Sequence, residues 1–208
     1  MNGEIDRSAG VVIKHFMATD EPFVTIVSGL PRSGTSMMMQ VLEAGGIEPL
    51  TDRLRAADDD NPRGYYELEA VKKTKQDASW LTDAPGKAVK LVHLLLYDLP
   101  GDRACRVVFM RRKMQQVLAS QQTMLERQSR QGSALPAEKL GQIFADQLDK
   151  IAAYLDQQSN IRVLYVDYNR IITDPDPLID QINDFLGGSL DTHAMQEVVD
   201  PNLYRQRI

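Results

Sequence analysis

The sequence is poor in features typical of secreted and nucleic-acid-binding proteins. It has a single cysteine, Cys105, among 208 residues, so no disulfide can form within the chain. Its first ten residues lack the basic and then apolar pattern of a secretion leader, and we expect a reducing, cytoplasmic setting. A formal net charge of −5 lacks the basic excess that binding to nucleic acid usually requires. Any bound anion must therefore be met by a local cluster of basic side chains.

Long hydrophobic runs are also missing. The stretch VKLVHLLLYDL is interrupted by polar residues and is far shorter than the roughly 20 residues that span a bilayer. We expect no membrane span. At 43% hydrophobic residues, the chain is long enough for one sizeable core and short for two. We therefore predict a single domain over residues 1–208.

Short apolar runs alternate with helical patterns along the chain. The strand candidates are FVTIVS (23–28), AVKLV (88–92), CRVVFM (105–110) and IRVLYVD (161–167). Such runs are typical of strands that are buried on both faces of a parallel sheet. The predicted helices begin near residue 33, at 137 and at 177, the last being a short terminal helix. The pattern predicts a three-layer α/β fold resembling the P-loop NTPases, in which helices flank a mostly parallel sheet and ligands bind at the carboxyl ends of the strands.

Two polar, turn-rich segments separate these elements. They cover residues 45–65 and 128–136, and both are rich in Asp, Gly, Pro or Ser. This composition predicts surface loops.

The stretch GLPRSGTS (29–36) joins the first predicted strand to the first predicted helix. A loop in this position directs several backbone N–H groups to one point, where the helix dipole also favours an anion. Its two glycines allow an anion to approach the backbone closely. The hydroxyl donors that it adds are Ser33, Thr35 and Ser36.

The loop departs from the phosphate-binding loop of ATP-hydrolysing enzymes at one position. Thr35 occupies the place of the lysine that reaches the terminal phosphates, whereas Arg32 supplies a cation three residues earlier. On its own, the loop is equally consistent with an ordinary turn between a strand and a helix.

PRSGTS at 31–36 resembles the 5′-phosphosulfate loop of sulfotransferases that use 3′-phosphoadenosine 5′-phosphosulfate (PAPS), commonly P-[K/R]-[S/T/A]-G-[T/S]-[T/S]. In that family an arginine after a later strand is followed, eight residues on, by a serine, as Arg112 is by Ser120. NPRGYYE (61–67) is similar to the N-P-x-G-[Y/F]-x-E segment of many bacterial members. VLYVDYNRIITDPDPLIDQINDFLG resembles the family's late strand and closing helix. The four matches occur in the expected order.

The resemblance implies a transferase that moves a sulfuryl group from PAPS to a hydroxyl or amine of a small molecule or saccharide, leaving 3′-phosphoadenosine 5′-phosphate (PAP). It implies that Arg112 and Ser120 hold the 3′-phosphate. The loop residues that it implies at the other end of the donor are Arg32, Ser33, Gly34, Thr35 and Ser36. Sulfuryl transfer needs no metal in principle, because arginine and backbone N–H groups can meet the charge of the leaving phosphate. We therefore expect transfer to survive chelation by EDTA.

Two residues are candidates for the base that removes the acceptor proton. Glu67 closes the NPRGYYE segment, and carbohydrate and protein-tyrosine sulfotransferases use a glutamate downstream of the first loop. His93 lies in a segment that resembles the K-x-H-L-P of small-molecule sulfotransferases. Here, however, two residues instead of one lie between the lysine and the histidine. A shift of one residue along a strand turns a side chain to the opposite face of the sheet. A core role for His93 is therefore as open as a catalytic one. We favour Glu67 as the base and Lys90 as a stabiliser of the sulfuryl group.

Two other functions are open on the sequence alone. One is a nucleotide kinase with a degenerate phosphate loop, in which Asp167 would hold magnesium. The other is a binding protein that keeps the nucleotide pocket but lacks a working base. Arg205 and Arg207 near the C-terminus would either add contacts to the anion or belong to a frayed end.

Overall fold

The computed structural model of the chain describes residues 22–54, 58, 64–127 and 135–200. The strands are β1 Val24–Gly29, β2 Glu48–Pro49, β3 Lys87–Val92, β4 Cys105–Arg111 and β5 Ile161–Asp167. The α-helices are α1 Thr35–Ala44, α2 Met114–Arg127, α3 Ala137–Gln157, α4 Tyr168–Thr173, α5 Asp176–Leu186 and α6 Thr192–Val198. Short 3₁₀ turns lie at Glu69–Lys73, Ser79–Thr82 and His93–Asp98. The first ten residues, the 61–63 part of NPRGYYE, the loop 128–134 and both C-terminal arginines lie outside the described residues.

The strands form one parallel sheet in the order β2-β3-β1-β4-β5. Strand β1 lies at its centre, with Gly29 level with Val92 of β3 and with Met110 of β4. From β1 the chain first builds the sheet on one side, through β3, and then on the other, through β4. Ligands of α/β proteins bind where the strand order reverses in this way, at the carboxyl ends of the strands. The loop after β1 lies at that point.

The sheet carries apolar side chains on both faces because successive residues of a strand point to opposite sides. On β4, Val108 and Met110 face one core, whereas Val107 and Phe109 face the other. The first core includes buried residues of α1, α4, α5 and α6, and the second includes those of α3 and the 3₁₀ turns. The predicted three-layer α/β class is confirmed. None of the helices within the described residues is long and apolar enough to cross a membrane.

Two short elements go beyond the sequence prediction. Strand β2 lies inside the predicted loop 45–65 and pairs with the start of β3. Helix α6 follows α5, so the prediction that the chain's last helix starts at Pro177 is wrong. Asp191 caps α6 by accepting a 3.0 Å hydrogen bond from the Ala194 N–H. The buried side chain of Met195 packs α6 in the same core as α1. A helix of seven residues is too short to show a helical period in the sequence.

Gly34 adjoins α1 and cannot readily be another residue. Its φ of 101° lies in the left-handed range, and a Cβ placed there would lie 2.3 Å from Cδ2 of Tyr168. Tyr168 is buried as the first residue of α4, directly after β5. The close approach of the loop to this ring fixes where α1 begins.

We predict that Gly34→Ala destabilises the protein by more than backbone strain alone. Gly46 is the matched control, since its φ is 100° but a Cβ there would meet nothing within 4 Å. Gly46→Ala should cost only the left-handed strain of roughly 1–2 kcal/mol, and Gly34→Ala should add about 1–3 kcal/mol of steric overlap. Urea unfolding of both variants measures the difference. Equal losses of stability would show that Tyr168 does not constrain the loop.

Candidate active site

A cavity of about 570 Å³ opens at the carboxyl ends of β1, β3 and β4. Its walls are the loop after β1, the start of α1, the segment 65–72, the end of β3, and helix α2. Leu95, Arg112, Tyr168 and Asp200 complete the described lining. It is therefore built from parts of the chain that are far apart in sequence.

The cavity is locally basic in a protein of net charge −5. Its described lining includes the acidic residues Glu67 and Asp200. The basic residues that line it are Arg32, Lys72, Lys90, Arg112 and Arg127. An excess of cations in one concave site attracts anions whatever the overall charge. This is the local basic cluster that the sequence requires of an anion-binding protein.

The loop after β1 adopts a tight turn before α1. The Ser33 N–H donates a 3.1 Å hydrogen bond to the Leu30 carbonyl, and Arg32 has a left-handed φ of 69°. Gly34, Thr35 and other residues at the start of α1 line the cavity. The first N–H groups of a helix have no partner within the helix, so they are suited to an anion.

Ser33 does not share this cavity. Its hydroxyl is buried, lines a second cavity of about 270 Å³ and has no hydrogen-bond partner within the described residues. The predicted contact between the Ser33 side chain and the donor therefore has no support in this geometry, because the turn directs the side chain away from the larger cavity.

The two predicted anion-binding motifs are in direct contact. Arg32 Nε donates a 3.0 Å hydrogen bond to Ser120 Oγ, 88 residues later in the chain. Arg112 Nη1 donates a 3.0 Å hydrogen bond to the Arg32 carbonyl. Arg32, Arg112 and Ser120 all line the larger cavity. One ligand in this cavity can therefore reach both motifs.

Arg112 is oriented by three further residues, Gln116, Asn169 and Tyr168, none of which was predicted from the sequence. Gln116 Oε1 accepts hydrogen bonds from Arg112 Nε at 3.2 Å and from Asn169 Nδ2 at 2.8 Å. Gln116 is completely buried. The Arg112 guanidinium also lies 4.3 Å from the centre of the Tyr168 ring. The position of Gln116 one helical turn after Arg112 is a usable sequence signal, whereas the contacts with α4 depend on the pairing of β4 with β5.

Lys90 connects β3 to the segment that carries Glu67. Its Nζ donates to the Tyr65 carbonyl and, at 3.3 Å, to Ser36 Oγ. The Ser36 hydroxyl lies 3.5 Å from the same Tyr65 carbonyl. Tyr66 has a left-handed φ of 54°, and its hydroxyl donates to Glu43 Oε2 at 2.5 Å. The segment is thus attached to α1 at two points.

Glu67 lies in the cavity wall, partly exposed. Its carbonyl accepts hydrogen bonds from Thr51 Oγ1 at 2.7 Å and from the Asp52 N–H at 3.1 Å. Its carboxylate interacts electrostatically with Lys72, another residue of the wall. A carboxylate held at this position can accept a proton from a molecule in the cavity.

His93, the other candidate base, lies outside the described lining of the cavity. It is only 3% exposed, and its Nε2 lies 3.1 Å from Gln147 Oε1 of α3. Burial lowers the pKa of His93, and the hydrogen bond to Gln147 partly opposes this shift. The extra residue in its spacing places His93 after the end of β3, in a 3₁₀ turn that faces α3. This geometry corresponds to the core role.

Asp167, the magnesium ligand of the kinase alternative, is engaged elsewhere. Its carboxylate caps α4 by accepting a 2.8 Å hydrogen bond from the Arg170 N–H. It lies at the end of β5, which is separated from β1 by β4, and it is not part of the described cavity lining. Asp167 is therefore not placed to hold magnesium in this cavity, as the kinase alternative requires of it.

Comparison with known proteins gives a consistent assignment. A family model described as "Sulfotransferase domain" matches residues 24–205. The sulfotransferase domain from the Synechococcus PCC 7002 olefin synthase has a TM-score of 0.54 at 15% identity, with 94% of this chain and 92% of that chain covered. The sulfotransferase domain from the curacin biosynthetic pathway has a TM-score of 0.50 at 15% identity, covering 91% and 93%.

A crystal structure of retinol dehydratase with androsterone and PAP has a TM-score of 0.48 at 18% identity and covers 84% of this chain. This chain spans 62% of that protein's chain. No curated protein sequence matches. At these identities the two sulfotransferase domains with TM-scores of 0.54 and 0.50 show a shared fold alone, whereas the family model covers most of the sequence. The chain belongs to the sulfotransferase domain family.

Proposed function

We propose that this protein transfers a sulfuryl group from PAPS to a hydroxyl or amine of an acceptor molecule. The observation that carries the proposal is the convergence of Arg32, Ser120 and Arg112 at one cavity. A donor with a phosphosulfate at one end and a 3′-phosphate at the other needs two cationic sites within one pocket. The arginine side chain suits both ends because its planar fork makes paired hydrogen bonds to phosphate-like oxygens.

The cradle after β1 fits the phosphosulfate end. PAPS, when bound, supplies an activated sulfuryl group whose departure leaves a phosphate. The loop offers Arg32, the first N–H groups of α1 and the hydroxyls of Thr35 and Ser36, all at the cavity wall. Donors that are fixed in place before the reaction stabilise developing charge most effectively, and loss of one typically costs ~10²–10³ in rate. The side chain of Ser33 is not part of this set.

Glu67 is the base in this proposal, and Lys90 a second cation near the transferred group. Both line the cavity, and Lys90 contacts Ser36 of the cradle directly. Glu67 removes the proton of the attacking hydroxyl, and a base in this role typically contributes ~10²–10⁴-fold. His93 has no part, because it faces α3.

Arg112→Ala should weaken PAP binding roughly 10- to 150-fold, the range expected for hydrogen bonds to a charged group. AMP differs from PAP only in lacking the 3′-phosphate, so its affinity should fall much less than that of PAP, by no more than the loss of the Arg112 hydrogen bond to the Arg32 carbonyl disturbs the loop. Calorimetry with both nucleotides measures the selectivity. Arg111→Ala is the matched control, since Arg111 stacks on the Tyr165 ring at 3.9 Å and lines the smaller cavity. An equal loss of affinity for both nucleotides would contradict the assignment of the 3′-phosphate to Arg112.

Gln116 should act on the same selectivity by orienting Arg112. Gln116→Leu removes the acceptor for Arg112 Nε and should lower PAP affinity roughly 10-fold, with little effect on AMP. Gln116→Glu keeps an acceptor oxygen for Arg112 Nε and should retain the preference for PAP. Calorimetry on the two variants tests this orientation. If the leucine variant weakens PAP and AMP equally, Gln116 supports only the general packing of α2.

Glu67→Gln should reduce kcat by ~10²–10⁴-fold while PAP affinity changes little, because the amide keeps the shape but cannot accept the proton. Glu69→Gln is the control, since Glu69 is exposed, pairs with Lys72 at 2.5 Å and lies outside the described lining. Radiolabelled sulfate transfer measures kcat, and calorimetry measures affinity. Full activity of Glu67→Gln would rule out Glu67 as the base.

A further inference from the structure

The part of the cavity that faces the phosphate cradle is mainly apolar. It is formed by the start of the 3₁₀ turn Glu69–Lys73, the end of β3 and the second half of α2. Its apolar side chains are Leu68, Val71, Leu91, Val92, Leu95 and Met124. We name this set the apolar wall. It adjoins Glu67, so the acceptor that gives its proton to Glu67 would lie against these side chains.

Most of the apolar wall packs on the core, but one of its residues, Val92, is exposed. Val71 is 5% and Leu91 1% exposed, and Leu68 and Leu95 pack on the same core. Val92, in contrast, is 45% exposed. Covering this exposed apolar surface with an apolar ligand stabilises the complex. Because the wall is already formed, binding has no cost of rearrangement.

Among the residues that the structure describes, few polar side chains lie near the apolar wall, and they are largely engaged. Thr123 Oγ1 donates a 3.0 Å hydrogen bond to the Ala119 carbonyl. Lys72 and Arg127 are exposed, which places them at the rim, and Lys72 pairs with Glu69. A saccharide against this wall would find few hydrogen-bond partners among the described side chains, and each buried hydroxyl group without a partner weakens binding roughly 5- to 150-fold.

We infer that the acceptor is an alcohol carried on an apolar aliphatic or aryl body, and not a saccharide. This inference rests on the proposed sulfuryl transfer. The acceptor oxygen forms a bond to sulfur while the bond from sulfur to the bridging phosphate oxygen breaks. The hydroxyl proton passes to Glu67, and PAP leaves with the electron pair of the broken bond. The products are a sulfate monoester of the alcohol and PAP.

A homologous series of acceptors tests this inference. The series is 1-butanol, 1-hexanol and 1-octanol, compared with benzyl alcohol and methyl glucoside, each with PAPS and the intact protein. We expect kcat/KM to rise about fourfold per methylene until the apolar wall is covered, and methyl glucoside to be the poorest acceptor. Calorimetry of each acceptor with the PAP complex gives the same ranking without turnover.

Two matched substitutions test whether the apolar wall is where the alcohol binds. Val92 and Leu94 are both exposed apolar residues, at 45% and 46%, but only Val92 lines the cavity. Val92→Ser should lower the affinity for 1-octanol about fivefold, which corresponds to losing half of a buried valine contact. Leu94→Ser should leave it unchanged. Equal effects of the two substitutions would overturn the apolar wall as the acceptor site.

The outcomes separate this inference from the proposed function. If the protein binds PAP better than AMP but the alcohol series is flat, or methyl glucoside is the better acceptor, only the apolar acceptor is wrong. If neither nucleotide binds, the proposed function fails and the acceptor inference fails with it. A steep alcohol series that Val92→Ser weakens supports both.

Discussion

The site depends on one guanidinium, that of Arg112. Its Nη1 donates to the Arg32 carbonyl across 80 residues of sequence, and its Nε is held by Gln116. Arg32 has a left-handed backbone, which costs an ordinary residue roughly 1–2 kcal/mol. A hydrogen bond from a charged donor contributes roughly 1.5–3 kcal/mol, which is enough to offset that strain. The shape of the loop after β1 is therefore set partly by Arg112, which follows strand β4.

This dependence explains how a phosphate loop without its lysine can bind anions. Thr35 occupies the lysine position, yet Arg32 lies within the loop and Arg112 and Lys90 reach the same cavity from the ends of β4 and β3. Strands β3 and β4 both pair with β1, so their carboxyl ends necessarily meet the loop that follows it. Parallel pairing thus gathers three cations that are far apart in sequence. Two carboxylates, Glu67 and Asp200, also line the described cavity, but the basic side chains there outnumber them, so the local field favours anions.

The sequence predicts the sheet well because burial on both faces leaves a continuous apolar run, as in β1. The resemblance also implies that one ligand contacts the Arg32 loop and the Arg112–Ser120 pair, and all three residues line the larger cavity, but the direct hydrogen bond between Arg32 and Ser120 was not predicted. The sequence does not show where the side chains of Ser33 and His93 point, because both follow local turns that have no signature in residue type. Gln116 was missed for a different reason, since its contact with Asn169 spans 53 residues and depends on the pairing of β4 with β5.

The position of Glu67 follows from polar contacts rather than from regular structure. On one side the Tyr65 carbonyl is bound by Lys90, and on the other the Glu67 carbonyl accepts from Thr51 and Asp52. The backbone around the carboxylate is therefore held at both ends without a helix or strand. Lys90 also contacts Ser36 of the cradle, and an ammonium has three N–H donors that can serve several acceptors together. The same cation thus links the loop after β1 to the segment that carries Glu67, the proposed base, so the placement of one constrains the placement of the other.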